Sequence, residues 1–223
     1  MRSLTDTQNK TQTQRRNIRY TVIAIVVLML VFVGLFVHKV VQVKALSDEQ
    51  LRSSGIILFE QARQPKAFTL TNQNGQPVSN SLLRDKISLL FFGFTHCPDI
   101  CPTTLSELAR VYQQLDAEVQ RDIQIILVTV DPARDDPATL NAYLDYFNRD
   151  FVGLSGDFPQ IMRLAESLNV AFHKVPQGES YTIDHTAHLA IINRHGDYAG
   201  FIKSPLPLNI LARAISDRLW QLP

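Results

Sequence analysis

Ile87–Pro102 reads ISLLFFGFTHCPDICP, and this stretch decides the fold. Its first part, Ile87–Phe94, is a nearly continuous apolar run rich in β-branched and aromatic residues, as in a strand covered on both faces. A short polar loop follows and contains both cysteines of the chain, Cys97 and Cys101. Beyond it, Pro102–Asp116 places Leu105, Leu108, Tyr112 and Leu115 on one stripe of an amphipathic helix. Ile123–Val130 (IQIILVTV) is a second buried-strand pattern. Strand, helix and strand in this order predict a right-handed βαβ unit. Pro102 is expected as the first helical residue, with Cys101 beside the N-cap.

The neighbouring segments extend the same architecture. Phe68–Leu70 and Pro77–Val78 flank the turn Asn72–Gly75 and predict a small hairpin. Helices are expected over Pro137–Phe147, with Leu140, Leu144 and Phe147 inward, and over Phe158–Leu168. Ala187–Asn193 and Tyr198–Ile202 form an antiparallel hairpin across Arg194–Asp197, and a last helix runs from Pro207 to Gln221. The order is that of an α/β, thioredoxin-like domain, a central mixed sheet flanked by helices, over residues 66–223. Residues 42–65 are mixed and polar and are expected as a linker.

Upstream the chain changes character. Tyr20–Val37 carries no charge and no proline, and extended through Val41 it is long enough to span a bilayer core of about 30 Å. Arg15, Arg16 and Arg19 precede it, so a 1–19 tail is expected in the cytoplasm and the domain outside, although Lys39, Lys44 and Arg52 weaken the bias. A cleaved signal peptide, cut near Val43-Lys44-Ala45, is the alternative, and the length of the apolar run favours an uncleaved anchor over residues 20–41. The start lacks the Arg- and Ser-rich look of a transit peptide, so the expected place is a bacterial inner membrane, with the domain in the periplasm.

Composition excludes several classes. At 45% hydrophobic and 19% charged residues the chain is not disordered. Two cysteines are too few for a disulfide scaffold or a multi-cysteine zinc or iron–sulfur domain. A net charge of +1 gives no case for a nucleic-acid partner. That total conceals a basic start: residues 1–44 hold seven of the 22 Lys/Arg and one of the 21 Asp/Glu.

The cysteines carry the chemistry. Their loop emerges at the carboxyl end of a central strand, where ligand sites of open α/β sheets lie. A helix N-terminus lowers a thiol pKa from about 8.5 toward neutrality, and the thiolate is both nucleophile and metal ligand. Three residues separate the pair, so on a regular helix the Cβ atoms stand about 5–6 Å apart. A disulfide wants about 3.5–4.5 Å, whereas one metal ion tolerates a wider bite. A structural disulfide, two inert thiols and a metal site all stay open on these grounds. Zinc would want four protein ligands, while copper accepts thiolate and imidazole.

Phe92–Pro102, Val130–Asp135 (VDPARD) and Asp184-His185-Thr186 together resemble the signature segments of the Sco (SenC) copper proteins, which assist assembly of the binuclear copper centre of cytochrome c oxidase. The similarity covers roughly residues 60–220 and the N-terminal anchor, and no departure appears in the matched segments. It implies that Cys97, Cys101 and His185 bind one copper ion, Cu(I) or Cu(II), in a modified thioredoxin fold. It also implies a redox-active Cys97–Cys101 pair. The oxidase's copper-centre subunit is the implied partner, with other copper chaperones or thiol reductases alongside. Where thioredoxin-like oxidoreductases usually carry a cis-proline, this chain has Asp184-His185-Thr186, which favours metal delivery over general disulfide exchange.

Asp184 is expected to orient His185 or stand just behind it. Asp131 and Asp135 are expected to face the copper loop or dock a cationic partner, and Asp136 to cap a helix that starts at Pro137. His188 reads as an ordinary sheet histidine, and His96 as a capping or solvent-facing one. A thiol–disulfide reductase is the alternative function, and a peroxidase is supported by nothing beyond the cysteine loop.

Overall fold

The computed structural model describes residues 18–36 and 45–222. They fall into two compact units divided between Ala45 and Leu46, and each is described by itself. The first unit contains the helix Ile18–Phe36 (α1), with a mean hydropathy of 2.5 over its best window. It is long and apolar enough to cross a membrane. The expected cytoplasmic tail up to residue 17, and the stretch 37–44 that closes the expected anchor and opens the linker, lie outside the described residues.

The second unit differs from expectation at its start. Instead of a linker, Asp48–Ser53 is a short helix (α2) and Ile56–Arg63 a strand (β1). Ser47 closes a capping box with Gln50, which satisfies two N–H groups at the helix start. Leu46, Leu51 and Ile56 are buried in the core, and Arg218 donates to the Leu46 carbonyl and pairs with Asp48. The segment reads as polar because the second half of β1 is exposed; its few apolar residues do the anchoring.

The chain continues through Thr69–Asn72 (β2), Pro77–Ser79 (β3), a 3₁₀ turn at Asn80–Leu83 and Ile87–Gly93 (β4). Next come Ile100–Gln113 (α3), Ala117–Asp122 (α4), Ile123–Thr129 (β5), Pro137–Asp145 (α5), Val152–Ser155 (β6) and Phe158–Ser167 (α6). Phe172–Gln177 (β7) and Ser180–His185 (β8) pair with each other alone. Leu189–Ile192 (β9), Tyr198–Ile202 (β10) and Leu208–Ala214 (α7) complete the unit, α7 widening into a π-helical turn at Ile215–Leu219.

The main sheet has the order β1-β10-β9-β4-β5-β6-β2-β3. β4–β5 and β5–β6 are parallel, and the outer pairs are antiparallel. Every residue of β4 and β5 is buried, as their apolar runs require for strands covered on both faces. Two of the polar intruders, Ser88 and Gln124, face each other in register, and Gln124 donates to Ser88 Oγ and to the Leu82 carbonyl at 2.8 Å each. Their desolvation is thereby offset. This mixed sheet flanked by helices is a thioredoxin-like fold.

Candidate metal centre

β4 ends at Gly93 and α3 begins at Ile100, two residues earlier than the sequence predicts. Pro102 is therefore the third helical residue and not the first. It still falls in the first turn, where a missing N–H costs no helical hydrogen bond. Asp99 occupies the N-cap without its side chain accepting from a helix N–H, and the Cys101 N–H donates instead to Cys97 Sγ at 3.4 Å. Cys97, and not Cys101, is thus the sulfur that caps the helix.

The two thiols are driven apart in acidity. A hydrogen bond from Cys101 holds Cys97 down at about 4, aided by His185 and by the N–H groups of Cys101 and Asp99, against the cost of burial. Cys101 is pushed up, first by its bond to Cys97 and then by burial. One sulfur is ionised and the other keeps its proton. Both are free cysteines.

Gly93 makes room for this arrangement. A Cβ there would stand 2.8 Å from Phe91 Cε1 and 3.0 Å from Cys101 Sγ. Gly93→Ala should therefore dislodge Cys101 and lower stability by about 1–3 kcal/mol, the usual cost of overpacking. A variant that melts at the wild-type temperature would contradict that fit.

His185, the last residue of β8, supplies the third donor. Its Nε2 lies 3.6 Å from Cys101 Sγ, and its Nδ1 is 3.2 Å from the Thr186 carbonyl. A carbonyl only accepts, so Nδ1 presents an N–H to it, and Nε2 is the ring nitrogen that faces the sulfurs. The ring edges against Phe91 and Phe94 at 5.9 and 6.2 Å between centroids. The donor atoms of Cys97, Cys101 and His185 all lie within 4.8 Å of one another. Trigonal bonds of about 2.0–2.3 Å separate donors by roughly 4 Å, so little movement closes the set on one ion. Two soft sulfurs and an imidazole suit copper, and zinc would lack its fourth ligand.

The acidic residues meet expectation only in part. Asp131 and Asp135 are 1% and 0% exposed, so neither docks a partner. Asp135 accepts from the Thr95 N–H at 3.0 Å, Thr95 Oγ1 at 2.6 Å and Thr129 Oγ1 at 2.6 Å, which fixes the loop ahead of Cys97. Asp131 accepts from Tyr181 Oη at 2.8 Å and pairs with Arg134. Asp184 does not orient His185; its side chain is 69% exposed and its carboxylate lies 3.9 Å from His173 Nε2. Alternation along β8 explains this, since 181, 183 and 185 face one side and 182 and 184 the other. Asp136 caps α5 by accepting from the Thr139 N–H at 2.7 Å. His188, just before β9, packs on Phe201 and bonds the Leu168 carbonyl, and burial lowers its pKa.

Reading the sequence missed Thr95, Thr129, Arg134, Tyr181 and Tyr143. Tyr143 on α5 has its phenol pKa raised, first by burial and then by the nearby cysteine pair and Asp135. The two-residue alternation of Tyr181, Ile183 and His185 was the signal that could have found Tyr181.

Known proteins resemble the chain over this same region. A family model described as SCO1/SenC matches residues 59–219. A putative copper-binding protein of Stutzerimonas stutzeri is 40% identical over 170 residues, 76% of this chain and 83% of that protein. An SCO2-like protein of Rickettsia conorii is 35% identical over 134 residues, 59% of this chain and 65% of that protein, so the chain spans just under two thirds of it. Among solved structures, ScoI of Bradyrhizobium japonicum with copper bound is 38% identical. It matches with a TM-score of 0.61 over 68% of this chain and 96% of that one.

Proposed function

The chain belongs to the SCO1/SenC family, and from that membership we propose that it is a membrane-anchored copper chaperone. It holds one copper ion between Cys97, Cys101 and His185 and hands it to the copper-centre subunit of cytochrome c oxidase. The observation that carries this reading is a three-donor cluster of soft ligands at the carboxyl end of β4, with no fourth protein donor beside it among the described residues. A copper-binding relative and a copper-bound structural neighbour support the choice of metal.

The geometry suits loading and release. Cys97 is already a thiolate, so the first sulfur bond needs no deprotonation, whereas Cys101 must give up its proton as the ion settles. An open coordination position lets an acceptor's sulfur or nitrogen enter before a ligand leaves. With α1 as the anchor and Arg19 at its leading end, the N-terminus stays in the cytoplasm and the domain works in the periplasm of a bacterial inner membrane.

One test addresses the thiolate directly. Iodoacetamide should modify Cys97 in the metal-free chain with a rate that falls only below about pH 5, with a midpoint about 4. An ordinary thiol loses reactivity below about pH 8.5. The sign follows from a lowered pKa, because the reactive form is kept to lower pH. A midpoint above pH 7 would contradict the arrangement.

The ionised sulfur with a buried, protonated neighbour also favours a second reading, a thiol–disulfide reductase. Cys97 Sγ would attack a disulfide of the acceptor, releasing one of its sulfurs as thiolate and forming a mixed disulfide. Cys101 would then lose its proton and displace the second sulfur, leaving a Cys97–Cys101 disulfide and a reduced acceptor. His185 forms no bond in that exchange and is not the chief stabiliser of the Cys97 thiolate, so its replacement separates the two readings.

A further inference from the structure

His185 belongs to a hairpin that no strand of the main sheet pairs with, so contacts outside the sheet ladder decide where its imidazole sits. The hairpin turns at Gly178, which has φ +60°, a conformation that suits a two-residue hairpin loop. Near the other end it is moored by apolar contacts. Ile183 and Phe172 are buried, the Phe172 ring edges against Phe158 at 5.7 Å, and the Thr186 N–H donates to the Ala171 carbonyl at 2.9 Å.

A second mooring is polar and lies four residues from the ligand on the same face of β8. Tyr181 Oη donates to Asp131 Oδ1 at 2.8 Å. The Arg134 guanidinium lies 4.0 Å from the centre of the Tyr181 ring, and its Nη1 donates to the Tyr181 carbonyl at 3.4 Å. Lys174 Nζ, from β7, is 4.1 Å from the same ring. Arg134 is ion-paired with Asp131 and stands 5.8 Å from the ring of Phe94, which itself edges against His185. Asp131 and Asp135 sit on one loop, the Asp135 N–H donating to the Asp131 carbonyl at 3.0 Å, and Asp135 fixes the residue after Phe94. One loop therefore holds the strand with the histidine on one side and the loop with Cys97 on the other.

We propose that Tyr181, gripped by Asp131 and Arg134, is a positioning residue that sets how closely His185 Nε2 approaches the two sulfurs. None of the three offers an atom to the metal. Loosening the grip frees the imidazole while the cysteine pair stays in place, so a bound ion more often falls back on two sulfurs. The inference rests on His185 being a copper ligand.

Tyr181→Phe keeps the ring under Arg134 and Lys174 and removes only the hydroxyl bond. In the detergent-solubilised full-length chain it should lower Cu(I) affinity about tenfold, the low end for a group that orients a metal ligand. In metal-free protein, amide exchange over residues 172–185 should quicken while the strands β4 and β5 stay protected. Asp131→Asn, which keeps an acceptor but loses the charge facing Arg134, should act the same way. In a His185→Ala background, Tyr181→Phe should weaken copper binding no further, because its effect passes through the imidazole. A merely structural role would add the same loss in both backgrounds. Additive losses, or unchanged exchange in the hairpin, overturn the proposal. Exchange is read without metal, so a wild-type chain that took up no copper would sink the functional reading and leave the exchange result to judge Tyr181.

Discussion

Full-length protein carrying His185→Ala should bind Cu(I) at least about a hundredfold more weakly than the wild type, measured by competition with a colorimetric chelator. Removing a group that merely orients a ligand costs ten- to a hundredfold, and here a ligand itself goes. Its Nε2 faces Cys101 Sγ across 3.6 Å, with the ring held by Nδ1 at the Thr186 carbonyl. Among the described residues no other histidine, cysteine or carboxylate joins the cluster, so nothing substitutes for it. Cys97 should remain the reactive thiolate, because its strongest stabilisation comes from Cys101 and not from the imidazole. Thiol–disulfide exchange should then run at close to its normal rate. If copper affinity survived the change and exchange collapsed, the reductase reading would replace the chaperone.

Asp135→Ala should be the most destabilising single change near the site. The carboxylate is fully buried and accepts three hydrogen bonds, from the Thr95 N–H, Thr95 Oγ1 and Thr129 Oγ1. Each donor left unpaired inside the protein costs about 1–3 kcal/mol, and the two hydroxyls recover part by turning, so the net loss is about 4 kcal/mol. For a domain of this size that lowers the melting temperature by roughly 10 °C. Asp135→Asn keeps one acceptor and should lose about half as much. A melting curve unchanged in Asp135→Ala would show that the Thr95 turn is held by something else.

The parts of the fold that were legible in the sequence are those whose burial is continuous. β4 and β5 are buried at every position, so their composition alone reveals them, and the stripe of α3 follows the helical period. β1 was not legible because half of it is solvent-exposed and its partner, β10, lies more than a hundred residues downstream. The β7–β8 hairpin was missed for a related reason. It buries little, contains Pro176 and pairs only with itself, so no hydrophobic run stands out, and the alternation of Tyr181, Ile183 and His185 spans only three residues.

At the site, residue types announced the sulfur chemistry but not its division of labour. A cysteine four residues before another suggests that the later one caps the helix. The structure starts the helix earlier and gives the N–H to Cys97. The acids of the VDPARD segment advertise charge, yet a carboxylate beside Thr95, Thr129, Tyr181 and Arg134 is consumed internally. Thr129 and Arg134 lie beside or within that segment, but Thr95 and Tyr181 come from remote stretches that no local spacing encodes.

The strand β1 also bears on how the domain could leave the membrane. A cut near Ala45 would release the whole fold, since Leu46 is the first residue packed into it. A cut some twenty residues further on, where the polar composition invites one, would carry away the partner of β10. The bared edge would offer a ready template for a second molecule to pair with. Proteolytic shedding of this protein is therefore safe at one end of a short stretch and a route to self-association at the other.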